Sequence, residues 1–255
     1  MLPNESLWSS AMEFRLTFIF PLLAASAMGQ SLPHYNIYRV ASRIVIDARL
    51  DETAWKRAPA VGPFIFNWPL PGEQEQTVAR LLWDDENLYV SYLCYDKHIS
   101  AYVTQRHGPV SNDDCVEIFI SPNPEKVTNY YTFEINAIGT MLNRCRTDWW
   151  KGPPTWEPDG VRYKTTYYGL AKKDESAGDS QWIVELAIPF RNFAHDAAHT
   201  PPHDGEQWRL NLMRTGGKTN AQSSTWSPIA PPSKTFHTPT SFGWVRFMKR
   251  LPPKP

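Results

Sequence analysis

Two glutamates offer the most specific chemistry in this sequence. Glu117 lies in VEIFI and Glu134 in TFEIN, two strand-like runs separated by a Pro/Asn-rich stretch, residues 121–129. If the runs pair across that hairpin, the two carboxyls stand side by side on one face. Such a pair can accept sugar hydroxyls. It is also how glycosidases work, with one carboxyl as acid and the other as base or nucleophile. The alternative is an ordinary polar position on a half-buried strand, and no hydrolase motif accompanies the pair. Tryptophans come next. Trp226 sits in SSTWSP, a polar setting unlike the apolar neighbourhood of most core tryptophans, and a rigid flat ring stacks on a pyranose at low entropic cost. Trp149, Trp150 and Trp156 crowd a proline-rich stretch, DWWKGPPTW, that cannot bury all of them by itself. They supply a second platform or form a hydrophobic lid over a sheet. Arg144 and Arg146, on alternate residues, share a face and suit hydroxyls, a uronic acid or solvent.

Oxygen-rich turns are the other candidates. Asp84 and Asp85 open DDEN, and Asp113 and Asp114 end NDD. Hard cations need several such oxygens converging, and neither run has the helix–loop–helix calcium spacing. His98 and His107 are scattered. His195, His199 and His203 recur every four residues and would share a helix face, but Pro201 and Pro202 break such a helix between the second and third. Cys94, Cys115 and Cys145 are odd in number and lack zinc-type spacing, which predicts buried thiols without a redox role.

The elements that must position these groups are strands. A polar turn at 84–87 between apolar runs 78–83 and 88–95 predicts a hairpin. Further strands are expected at 44–46, 64–68, 116–120, 130–137, 140–146 and 161–168, with period-2 apolar faces at Trp182, Val184, Leu186, Ile188 and at Trp208, Leu210, Leu212. Residues 31–38 read as a lead-in segment. A short helix is expected near residues 51–58, capped by Asp51 and carrying Ala54, Trp55 and Ala58. With no long 3.6-residue period, the pattern predicts an all-β fold of antiparallel sheets packed face to face. Residues 148–160 and 193–205 are long loops, where ligand contacts tend to lie.

The 255 residues suit one large domain, with 26 basic and 26 acidic side chains. That balance gives no basic face for nucleic acid or an anionic membrane. Arg15, the apolar run at 16–25 and the small residues Ala27 and Gly29 read as a secretory signal, with Gln30 starting the mature chain and Met12 an alternative initiator. The run is too short to span a bilayer. The expected organisation is a signal peptide at 1–29 and one β-sandwich domain at 30–255, secreted or periplasmic, with no membrane partner after cleavage.

Six blocks in order resemble the family 9 carbohydrate-binding modules: IDARLDETAW (46–55), VARLLWDDENLYV (78–90), DDCVEIFI (113–120), YTFEINAIG (131–139), WIVELAIPF (182–190) and TWSP (225–228) followed by Phe242 and Gly243. The resemblance implies a β-sandwich that binds a carbohydrate between two tryptophans, with bound calcium elsewhere. By motif position Trp226 matches one of those tryptophans, and Glu117 matches an acidic residue that accepts sugar hydroxyls. The second tryptophan falls near Ser111 and the family's arginine at Glu134, so the site departs from the pattern. The carbohydrate candidates are thus Trp226, Glu117, Glu134, Trp149, Trp150 and Arg144. For a structural calcium they are Asp84, Asp85, Asp113 and Asp114.

The leading expectation is a non-catalytic secreted binder of a glycan or glycan end, working in polysaccharide breakdown, with a separately encoded glycoside hydrolase as a partner. Two alternatives stand beside it: a glycoside hydrolase or lyase using Glu117 and Glu134, and a haem-binding electron-transfer module with Met141 or Met213 as ligands.

Overall fold

The computed structural model describes residues 31–169, 178 and 180–250, so the expected signal segment lies outside the described residues. Among the described residues there are twelve strands: β1 (His34–Arg39), β2 (Ile65–Phe66), β3 (Thr77–Trp83), β4 (Asn87–Tyr95), β5 (Cys115–Ser121), β6 (Tyr130–Asn136), β7 (Met141–Arg146), β8 (Arg162–Tyr168), β9 (Gln181–Pro189), β10 (Gln207–Thr215), β11 (Ser223–Thr225) and β12 (Gly243–Met248). One five-residue helix, α1 (Thr53–Arg57), stands among them. The strands form one curled sheet in the order β7-β6-β5-β10-β12-β1-β3-β4-β9-β8, with β11 on β10 and β2 on β11.

The all-β expectation holds, and the apolar faces explain it. Leu81, Val90, Val184 and Leu186 from one half meet Ile118, Phe133, Leu210 and Leu212 from the other in a shared core. Every pairing is antiparallel except those of β1, which runs parallel to both β12 and β3 and so joins the halves. Leu32–Pro255 forms one unit.

Two local expectations are corrected. Residues 44–46 are not a strand. They belong to an irregular segment in which Ala48 and Leu50 take positive φ of 61° and 57°. That turn aims the amides of Asp47 and Ala48 at Glu185 Oε2, at 2.9 and 2.8 Å, while Trp55 Nε1 donates to Oε1 at 2.8 Å. The buried carboxylate on the back of β9 thereby holds the segment and α1 over the sheet, where Ile44 and Trp55 pack on Leu82 and Tyr89. Second, α1 is capped at Glu52, without a side-chain cap bond, and not at Asp51. The carboxyl of Glu52 accepts from Val45 N instead. The three cysteines are buried and free, as expected. Burial raises the Cys94 thiol to about 12 and Cys145 to about 11.

Candidate functional site

β5, β6 and β7 are consecutive antiparallel strands, and their register builds the site. Glu117 pairs directly with Glu134, and Arg144 pairs with Thr132, one position along the same face from Glu134. Ile118, Ile120 and Phe133 point to the core, so the alternating Glu117, Phe119, Thr132 and Glu134 point to the other face. Loops cover much of that face: Phe119, Tyr130 and Met213 pack beneath Ile229, Phe236 and Phe242. Where the cover ends, a cavity of about 430 Å³ opens over Glu117, Glu134 and Arg144. The rest of its wall includes Trp68, Ser111 and His237.

The carboxyl pair is under electrostatic stress. Burial raises Glu117 well above the ordinary carboxylate range; the neighbouring Glu134 adds to this, and Arg144 opposes it. Glu134 is raised too, by burial, against the pull of Arg144 and a hydrogen bond from Thr132 Oγ1. Arg144 Nε stands 3.6 Å from Glu134 Oε1. It is buried and has no hydrogen-bond partner. His237 is pushed down to about 4 by burial and by Arg146 and Arg144, so it is neutral at ordinary pH. Its Nδ1 lies 3.0 Å from the Tyr130 hydroxyl.

An aromatic pair lines the same cavity, and sequence reasoning missed it. Trp68 stacks on Phe236 with ring centroids 5.6 Å apart. The turn after Trp68 is held against the loop before β11: Gly72 N donates to Ala221 O at 2.9 Å, and a Cβ on Gly72 would come within 2.3 Å of that oxygen. The only signal in the sequence was NWPLPG, a tryptophan beside turn residues. Ser111, where the family pattern would put a tryptophan, lines the same cavity as Trp68.

Trp226, expected on the ligand, is in the core. It is 4% exposed, edge-on to Tyr35 at 6.4 Å. Gly243 lies so close that an added Cβ would sit 2.6 Å from the indole ring. A ring so enclosed offers no face to a sugar. Its polar neighbours misled because they too are buried: Ser227 Oγ donates to Ser241 O at 2.6 Å and Thr225 Oγ1 to Ser227 O at 2.7 Å, while the hydroxyls of Ser223 and Ser224 are buried without a hydrogen-bond partner. The 148–156 tryptophans behave as a lid. Trp156 is buried on Tyr131 at 5.2 Å, and Trp149 stacks on His195 at 4.2 Å while donating to Asp196 Oδ2 at 2.7 Å. Trp150 donates to Pro153 O and borders a separate cavity with Arg146. Neither Trp149 nor Trp150 lines the Glu117 cavity.

The four aspartates do not fit calcium. Asp84 accepts from the amides of Glu86 and Asn87 and from the Tyr89 hydroxyl, and Asp85 pairs with Arg39. At the opposite end of β4, Asp113 accepts from Val103 N and Asn136 Nδ2, and Asp114 from Ser100 N and Gly217 N. The two turns lie at opposite ends of β4, so the four carboxyls do not converge on one cation, and the donor set around each is made of amides, a hydroxyl and a guanidinium and not of further oxygen ligands. Met141 and Met213 belong to different buried clusters and share no pocket. His98 and His107 are likewise apart from the cavity lining, His107 pairing with Glu157.

The raised Glu117 carboxyl has a consequence for stability. Its folded pKa lies above its unfolded value. Stability from this group is therefore full below the unfolded value and is lost as pH rises through the folded one. Glu117→Gln is expected to flatten that loss, making the variant more stable than the parent toward neutral and alkaline pH. Thermal melts between about pH 4 and 8 check it, and parallel curves for the two proteins would contradict it.

Comparison with known proteins agrees with this architecture. No curated protein matches the sequence. Among solved structures, a proposed carbohydrate-binding protein from Bacteroides uniformis superposes with a TM-score of 0.70 at 21% identity, covering 85% of this chain and 100% of its own. A carbohydrate-binding module of family 9 from Caldicellulosiruptor kristjanssonii, in complex with cellotriose, gives 0.60 at 17% identity, covering 87% of this chain and 100% of its own. A second structure from that organism, with glucose, gives 0.57 at 18% identity, over 85% of this chain and 97% of its own. The family model "Carbohydrate-binding family 9" matches residues 63–247, which include every wall of the cavity. The chain belongs to carbohydrate-binding family 9.

Proposed function

We propose that this chain is an exported, non-catalytic protein that takes a glycan or glycan end into the Glu117–Glu134–Arg144 cavity. The observation that carries the reading is that two kinds of wall line one cavity. On one side stand two carboxyls and a guanidinium whose Nε has no hydrogen-bond partner. On the other stands the Trp68–Phe236 stack. A sugar ring needs both, since its hydroxyls take hydrogen bonds and its C–H faces pack on aromatic rings. The carboxyls can accept from hydroxyls, and Arg144 and Lys234 can donate. The family 9 structures bound to cellotriose and glucose support a neutral sugar as the first ligand class to try.

Hydrolysis is the weaker reading. A general acid and its partner must flank the scissile bond. Glu117 and Glu134 are cross-strand neighbours on a single wall. Export rests on the signal-like residues 16–29, and cooperation with a separate glycoside hydrolase fits a binding domain without its own catalytic groups. A glycan array with the purified chain tests the reading. Binding to at least one glycan is expected, and no binding to any would overturn it.

A further inference from the structure

The loop between β9 and β10 carries a second cluster, at the other end of the molecule from the cavity. His199 Nδ1 lies 2.9 Å from Glu206 Oε2, and the His199 and His203 rings stack with centroids 3.5 Å apart. One ligand atom from each of the three side chains falls within 4.8 Å of the others. No helix is needed: the turns around Pro201 and Pro202 bring the two imidazoles together, while His195 goes to Trp149.

The cluster is braced. Glu206 is the least exposed of the three, at 13%, and its Oε1 accepts from Trp208 Nε1 at 3.1 Å. Its backbone is tied to β12 by bonds between Phe247 and residues 205 and 206. The amide of His203 donates to Oε2 at 3.0 Å, which fixes the second imidazole relative to the carboxylate. A carboxylate oriented by an indole N–H, with two imidazoles beside it, is how a metal ligand and its supporting shell are arranged. The cluster borders a cavity of about 320 Å³ whose wall also includes Trp83, Asp85 and Lys249.

We propose that His199, His203 and Glu206 form a binding site for a divalent transition metal, with zinc the best match. Two imidazoles and a carboxylate suit zinc, and three protein ligands leave a fourth position open to water or to a ligand entering the cavity. Calcium, which prefers six to eight oxygens, is excluded by the donor set. β10 separates the cluster from the glycan cavity. Gln207 is next to Glu206 and Thr215 lines the cavity, which puts roughly 27 Å of strand between them at ~3.4 Å per residue. The metal therefore does not touch the sugar.

Isothermal titration of zinc into the chelator-treated full chain tests the proposal, with calcium as the control. One zinc per chain is expected, with no response to calcium. His199→Gln and His203→Gln should each weaken zinc binding at least tenfold, and the double variant should lose it. The metal-free melting temperature and glycan binding should stay at parent values, because the side chains are on the surface. No zinc uptake by the parent, or uptake by the double variant as tight as the parent's, would overturn the assignment.

Discussion

Replacing Arg214 with alanine is expected to destabilise the fold by about 3–5 kcal/mol, the cost of breaking a buried ion pair from one side. Arg214 is fully buried on β10. It donates to Asp96 Oδ2 at 2.9 Å and to Tyr95 O at 2.8 Å, and it lies 3.7 Å from Glu75 Oε2. Asp96 also accepts from Trp182 Nε1 at 3.0 Å, so one guanidinium links β10 to the far half of the sheet. Without it, the buried carboxyls of Asp96 and Glu75 lose a cationic partner. Asp114 feels the loss as well. Burial holds its carboxyl well above the ordinary range, Asp96 adds to this, and Arg214 opposes it together with hydrogen bonds from the Ser100 and Gly217 amides. Raised carboxyls favour the native state at low pH, so the variant's deficit should shrink as pH falls. Urea unfolding at neutral and acidic pH measures both effects. A loss under 1 kcal/mol would show that the network is solvated in a way its burial denies.

Trp226→Ala should cost a similar amount, about 3–5 kcal/mol, by emptying the largest ring at that end of the core. Gly243 and Tyr35 are shaped to that ring, and neither can fill the space by itself. Trp226→Phe should recover part of the loss and bind glycan as the parent does. This separates a core tryptophan from a sugar platform. A Trp226 variant with parental stability and lost glycan affinity would restore the ring to the site and contradict its placement here.

The contrast between Trp226 and Trp68 shows how far the sequence could be read. Strand alternation was local and strong, so β3 to β10 and the pairing of Glu117 with Glu134 followed from residue order alone. β1 did not, because its partners are β3 and β12, and β12 lies near the other end of the chain. No neighbouring residue signals such a contact. Trp226 looks solvent-facing because serine and threonine stand beside it, whereas inside the protein Ser227 N donates to Asn211, Ser227 Oγ to Ser241 O and Thr225 Oγ1 to Ser227 O. Trp68 was overlooked for the converse reason. Its role depends on Phe236, 168 positions later, folding over to meet it. The aspartate turns looked like cation sites because composition shows carboxylates but not the amides already donating to them. His199 and His203 were discounted on helical spacing, and a proline turn brought them together instead.

In the proposed binding mode one cavity holds the sugar between its charged and aromatic walls. Titrating the best array glycan into the parent, Arg144→Ala and Trp68→Ala measures that directly. Each variant should bind at least tenfold more weakly, a loss of about 1.4 kcal/mol or more, while its circular dichroism spectrum shows the fold retained. Parental affinity in both variants would place the sugar elsewhere on the molecule.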